Sequence, residues 1–316
     1  MAAITAALVK ELRETAGAGM MDCKKALTES NGDIEAAMEY LRKNGQAKAE
    51  KKANRIAAEG LTKIVADGDC KAAIVEVNSE TDFVAKNEKF QNYVEQVAKQ
   101  ALASNAADMD AFMDEKWIAD PSETVKDALV GMIAVISEKL SIRREEKVEE
   151  ADGVLANYSH DGGRISVIVD ASTAVVNDEI REAIRNIAMQ VAALSAEYVD
   201  VADVSEEKKA HEKEILMANI IKENEELPEE KRKPQQILEK QLIGRLNKEL
   251  KEICLNDQIY VKAEDGKQTV AQYLAEVGKK NGTEIKIRKF DRWEVGEGME
   301  HRQENFAEEV MKQAQG

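Results

Sequence analysis

Apolar residues at Ile4, Leu8, Val9 and Leu12, and again at Ile34, Ala37, Met38 and Leu41, recur at the three- and four-residue intervals that gather side chains on one face of a helix. Gly17 and Gly19 break the first stripe. Asp22 can cap a short helix running to Leu27, and Asn31-Gly32-Asp33 supplies a turn and a cap before the third helix. Residues 1–55 therefore read as a three-helix unit with its connector, the stretch 46–56 being rich in Ala and Lys and lacking an apolar stripe.

After residue 56 the period changes from helical to alternating. Leu61 to Val65 and Ala72 to Val77 are short β-rich runs around Asp67-Gly68-Asp69, a hairpin turn signal. Phe90, Tyr93, Val94 and Val97 then predict a helix from about Asn87 to Ala103. Met109 to Trp117 and Thr124 to Leu140 also read as helices, punctuated by Pro121-Ser122. A second hairpin, Val154 to Tyr158 and Arg164 to Val169, brackets Ser159-His160-Asp161-Gly162-Gly163, with a helix from Asp178 to Leu194 behind it. Ile74 to Ser104 and Ile165 to Ser195 share the order strand, polar turn, helix, which suggests a duplicated half-domain.

From Ser205 the chain is polar and helical, and Leu238, Leu242, Leu246, Leu250 and Ile253 form a continuous stripe beyond the breaks at Pro228 and Pro234. Two helices so joined form an antiparallel hairpin. Thr269-Val270-Ala271-Gln272 is a capping box opening a helix to Val277, Ile285, Ile287 and Phe290 suggest a late strand, and the tail from Asn305 reads as a short helix. The expected class is α+β. Its parts are residues 1–55, a core split into 56–145, 146–200 and 256–298, a helical insertion at 201–255, and a C-terminal helical module at 299–316.

Charge narrows the choice of partners. With 45 basic against 61 acidic residues the formal charge is −16, which opposes non-specific attachment to nucleic acid or an anionic membrane and favours a protein partner. The basic clusters at Lys48–Arg55 and at Lys286, Arg288, Lys289 and Arg292 are short and read as solvated faces. Cys23, Cys70 and Cys254 are too few for a disulfide framework, and no signal peptide or membrane-length apolar run is present, so a cytoplasmic location is expected.

Chemistry is sparse. There is no Gly-rich phosphate loop, and His160, His211 and His301 lack neighbours at metal-ligand spacing. Cys23 has no base placed beside it. No catalytic residue, cofactor or metal is expected, and the chain is not expected to be an enzyme.

The most informative run is Thr81-Asp82-Phe83-Val84-Ala85-Lys86-Asn87, which sets an aromatic beside a carboxylate between a strand and a helix. From the residues alone two readings stand: Phe83 folds back into the core with Asp82 as a helix cap, or the pair projects toward a partner. Together with Gly17-Ala18-Gly19-Met20-Met21-Asp22-Cys23-Lys24-Lys25-Ala26-Leu27, Ser141-Ile142-Arg143-Arg144 and Val295-Gly296-Glu297-Gly298, the run closely resembles the bacterial-type elongation factor Ts family. The resemblance extends from residue 4 to about the C-terminus and is loosest between about 200 and 255.

That resemblance implies a guanine nucleotide exchange factor for elongation factor Tu, acting in translation elongation. It implies a UBA-like (ubiquitin-associated-like) N-terminal domain that docks on the GTPase domain, and a coiled-coil protrusion at the hairpin through which a homodimer could form. Thr81, Asp82, Phe83 and Val84 would form the exchange loop, inserted near the magnesium and phosphate site. Met20 and Met21, Ile136, and His160 would make further contacts. For Met20, Met21 and Ile136 ordinary core packing stays open, as does a solvated turn for His160. Two other functions use different features: a helical adaptor would need only the three-helix unit, and a coiled-coil assembly protein would need only the Leu238–Ile253 stripe.

Overall fold

The computed structural model describes residues 4–300. The first three helices are α1 (Ala6–Ala16), α2 (Met20–Glu29) and α3 (Ile34–Lys52). Thr5 Oγ1 accepts from Leu8 N at the start of α1, and Asp33 caps α3 by accepting from Ala36 N. Leu12, Cys23, Ala26, Leu27 and Ala37 are fully buried between the helices. Two expectations change here. The N-cap of α2 is Gly19 without a side-chain bond, and Asp22 lies in the first turn, where it pairs with Lys48 at 2.8 Å. The connector at 46–56 is for the most part the continuation of α3, and buried Gly45 lies against Val130 and Ala134 of a later helix. The N-terminal unit is thus carried on a helical rod that reaches the core.

The core begins with β1 (Glu59–Asp67), β2 (Lys71–Ser79), α4 (Asp82–Ala85), α5 (Glu88–Ala103), α6 (Met109–Asp114), α7 (Val125–Ile136) and β3 (Leu140–Glu149). The second half adds β4 (Gly153–His160), β5 (Ile165–Thr173), α8 (Asp178–Leu194), α9 (Glu206–Glu225), α10 (Gln235–Ile253), α11 (Val270–Lys280) and β6 (Ile285–Glu294). Each half forms an antiparallel sheet with β2 or β5 in the middle. Alternation along β2 turns Ala73, Val75 and Val77 toward α5 and Ala72 and Ile74 toward Leu155, Ile168 and Trp293 of the other sheet. In β5, Val167, Val169 and Ala171 face α8. The layers run helix, sheet, sheet, helix, which is why both central strands are buried on both faces.

β3 is an element that apolar spacing misses. The helix expected to reach Leu140 stops at Ile136, where Ser137 adopts φ +66° and its N–H bonds to Ile133 O, and Leu140 opens a strand. Ser141-Ile142-Arg143-Arg144 lies on that strand. Its charged stretch, Arg143 to Lys147, suits a helix by propensity, but the fully buried Glu76 on β2 supplies an ionic partner that local sequence cannot reveal. The helix expected through Trp117 ends at Asp114, and Trp117 packs beside Tyr93 with ring centroids 5.8 Å apart.

The duplication is closer in structure than in sequence. Both central strands have nine residues and an irregularity at the same place, after Glu76 and after Asp170. Gly60 and Gly153 take φ +131° and +151° where a Cβ would strike the backbone of Val77 and of Ala171. α5 and α8 are N-capped by Asn87 and Asn177, and α7 and α11 by the capping boxes of Thr124 and Thr269.

Setting Ile74–Ser104 against Ile165–Ser195 residue by residue puts Asp82-Phe83 opposite Thr173-Ala174, and these markers correct that register. Ser79 and Thr173 end equivalent strands. Seven residues, Glu80–Lys86, separate Ser79 from Asn87, whereas three, Ala174–Val176, separate Thr173 from Asn177. Asp82 and Phe83 belong to an insertion that the second half lacks.

α9 and α10 are inserted in the second half between α8 and α11 and lie antiparallel, with Leu216 against Leu246 and Leu250 and Arg245 bonded to Glu223 at 2.9 Å. The tail expected to be helical from Asn305, and His301, fall outside the described residues.

Candidate functional site

The inserted turn is held at both ends. Ser79 Oγ donates to Thr81 O at 3.0 Å, and Thr81 N and Oγ1 both donate to the Glu138 carboxylate at 3.0 and 2.8 Å. Glu80 accepts from Lys139 N at 2.6 Å. On the far side Asn87 Oδ1 accepts from Lys89 N and Phe90 N to open α5, and Gln91 donates to Ala85 O.

Between these anchors, Asp82–Ala85 makes one helical turn that divides its side chains. Val84 points inward and is 7% exposed, whereas Phe83 is 77% exposed. Phe83 is therefore on the surface and not folded back into the core. Asp82 makes no cap bond; it pairs with Lys86 at 3.4 Å on the surface, an interaction of small energy in water. The Lys86 ammonium lies 6.0 Å from the Phe83 ring centre.

Phe83 and Val84 line a shallow cleft of about 400 Å³ with Val135 and Ile136 from the end of α7 and Gly17, Ala18 and Gly19 from the α1–α2 turn. Gly17 has φ +64°, and a Cβ there would meet Val135 at 3.3 Å, so glycine both ends α1 and allows this close approach. Met20 and Met21 follow at the start of α2, 57% and 75% exposed. Three of the expected partner-binding positions, Phe83, Val84 and Ile136, therefore line one cleft, and two more, Met20 and Met21, follow directly on Gly19 at its edge.

Ile136 is half-buried and packs on the first-half core while reaching the cleft. His160 does not line it. It is exposed at the end of β4, with Nδ1 3.0 Å from Tyr158 Oη. The tip it belongs to crosses onto the first half, where Thr62 Oγ1 donates to Gly163 O at 2.7 Å and Arg164 faces Glu59 at 3.7 Å. Sequence reasoning missed Glu80 and Glu138, because what distinguishes them is pairing across more than fifty residues.

On β2, Glu76 is fully buried. Burial opposes its ionisation, but bonds from Gly296 N at 2.8 Å, Asn78 and Arg143, with the charge of Arg144, outweigh that cost and hold its carboxyl below the ordinary value. Arg144 also lies over the Trp293 ring, 4.4 Å from its centre. Of the basic cluster on β6, Arg288 pairs with Glu150, just beyond the end of β3, and Lys289 with Glu146 on β3, and so both reach across to the other sheet, whereas the pairs of Arg288 with Asp170 and of Arg292 with Glu294 stay within one sheet. Among the described residues no group of three or more His, Cys, Asp or Glu side chains could hold a metal, and no helix is long and apolar enough to cross a membrane.

A family model described as Elongation factor TS matches residues 80–297. The chain is 46% identical over 311 residues to elongation factor Ts of Clostridium novyi (strain NT), covering 98% of each. It is 47% identical over 314 residues to elongation factor Ts of Clostridioides difficile (strain 630), covering 99% of each. With elongation factor Ts of Clostridium tetani (strain Massachusetts / E88) identity is 44% over 313 residues, 99% of this chain and 100% of that one.

Proposed function

Since the chain belongs to the elongation factor Ts family, which serves elongation factor Tu as nucleotide exchanger in translation elongation, we propose that it speeds GDP release by driving the Asp82–Phe83 turn into the GTPase domain. The observation that carries this mechanism is Phe83 itself: a large apolar side chain, 77% exposed, on an anchored turn found in one half of a duplicated core and absent from the other. A residue needed for the fold would be buried or repeated.

Phe83 acts as a wedge between elements of the GTPase while Asp82 disturbs the surroundings of its magnesium ion. Loss of magnesium removes the main positive charge opposing the phosphates of GDP, which then leaves faster. Covering Phe83 contributes about 1.5 to 3 kcal/mol, or roughly one to two powers of ten in rate at about 1.4 kcal/mol per tenfold. Larger acceleration requires the rest of the interface. Met20 and Met21 supply an adaptable apolar contact for docking the N-terminal unit of residues 1–55. Ile136 widens the surface beside Phe83, and His160 adds a second point of contact from the β4–β5 tip. The α9–α10 hairpin leaves Ile215, Ile221, Ile237 and Ile243 exposed, which favours self-association there as a separate role.

Linkage requires that a factor which expels the nucleotide be itself expelled by it. The test is the affinity for purified elongation factor Tu without nucleotide and with saturating GDP. The reading expects binding at least about tenfold tighter without nucleotide. Equal affinity for both forms would contradict it.

A further inference from the structure

The two halves close the end of their central strand with different chemistry. In the second half a neutral hydroxyl suffices: Thr283 Oγ1 accepts from Ala174 N at 3.2 Å and lies 3.2 Å from Thr173 Oγ1. In the first half two carboxylates cross. Glu138, from the α7–β3 turn, takes both the N–H and the hydroxyl of Thr81, and Glu80, from the inserted turn, takes Lys139 N.

The crossing also reaches the N-terminal unit. Arg55, just beyond α3, pairs with Glu80 at 3.1 Å, Lys139 Nζ donates to Arg55 O at 2.7 Å, and Lys52 Nζ donates to Ser137 O at 2.5 Å. The Glu80 side chain is only 15% exposed. Closing the strand end does not demand this many charges, since the second half manages without them. What the first half has in addition is Phe83.

We propose that Glu138, with Glu80, is a positioning residue for nucleotide exchange: it fixes the turn that carries Phe83 against the α7–β3 turn and the end of α3, so that the wedge meets its partner already ordered. This rests on the reading of Phe83 as the wedge. A turn released from the clamp must be ordered on binding, and that cost falls on the step in which the wedge enters. The Thr81 N–H is anchored by a charged acceptor, the stronger class of hydrogen bond.

The test is GDP release from elongation factor Tu over a range of factor concentrations, giving a maximum rate and a half-saturating concentration for each full-length variant. Glu138→Ala lowers the maximum rate about three- to tenfold, with half-saturation changed by less than about twofold. Glu138→Gln keeps one acceptor oxygen and recovers most of the loss. Thr283→Val, which removes the equivalent bond of the second half, stays within about twofold of wild type. In a Phe83→Ala background, Glu138→Ala has no further effect, because the clamp acts through that side chain.

A wild-type maximum rate for folded Glu138→Ala overturns the proposal, as does an equal loss in both backgrounds. If circular dichroism shows that Glu138→Ala has not folded, Thr81→Val, which deletes only the hydroxyl bond, must show the same dependence on Phe83 or the proposal fails. The two readings separate cleanly: an unaffected Phe83→Ala sinks the wedge, whereas a slow Phe83→Ala beside a normal Glu138→Ala sinks the clamp alone.

Discussion

Gln100 and Gln190 do the same work in the two halves of the core: from equivalent places on α5 and α8, each side-chain oxygen accepts a backbone N–H of the crossover that follows, Ile118 N at 2.8 Å and Val261 N at 2.7 Å. Both side chains are buried. Gln190 also donates to Ile259 O and Gln258 Oε1, so one buried side chain satisfies three polar groups of that crossover. Gln190→Leu strands the Val261 N–H and is expected to cost about 1 to 3 kcal/mol, read as a lower urea midpoint. An unchanged midpoint would mean that water replaces the amide.

Glu76 predicts the acid limit of the fold. Its folded value lies below the ordinary 4.5, so its ionised form contributes stability fully above that value, and the contribution is lost as pH falls through the lowered one. Urea midpoints measured downward from neutral pH should therefore drop in the acid range, and Glu76→Gln should flatten part of that drop. At neutral pH the same variant leaves Arg143 and Arg144 without their buried partner, at a cost of about 3 to 5 kcal/mol. A variant as stable as wild type at both pH values would remove Glu76 from its place as the lock between the sheets.

The three thiols should separate by reactivity. Burial, with Asp257, Asp200 and Asp203 nearby, pushes Cys254 up to about 11, and burial and Asp22 raise Cys23, whereas Cys70 is exposed in the β1–β2 turn. At mildly alkaline pH a disulfide reagent should label Cys70 in the native protein and the other two only after unfolding. Rapid native labelling of Cys254 would show that the base of the α9–α10 hairpin opens.

Periodicity exposed those elements whose burial is one-sided or whose ends are capped locally: the helices of the N-terminal unit, α5, α8, the α9–α10 hairpin and the Thr269 box. It failed at β3, whose charged residues are stabilised by Glu76, 67 and 68 residues earlier in the chain. It failed again in the alignment of the two halves, since equal numbering hides an insertion that only the shared Asn caps and strand irregularities reveal. Of the candidate site, the motif marked Phe83, but whether an aromatic at a strand end turns inward depends on what covers it. The carboxylates that hold the turn were invisible for the same reason as β3.

The decisive measurement is the rate at which a fluorescent GDP analogue leaves purified elongation factor Tu, alone, with this protein, and with its Phe83→Ala variant. The exposed Phe83 ring packs on nothing that the fold requires, so the variant should keep wild-type stability and lose roughly ten- to a hundredfold of the acceleration. Equal acceleration by both proteins would contradict the wedge and leave exchange to the broader surface; no acceleration by wild type would contradict the exchange function itself.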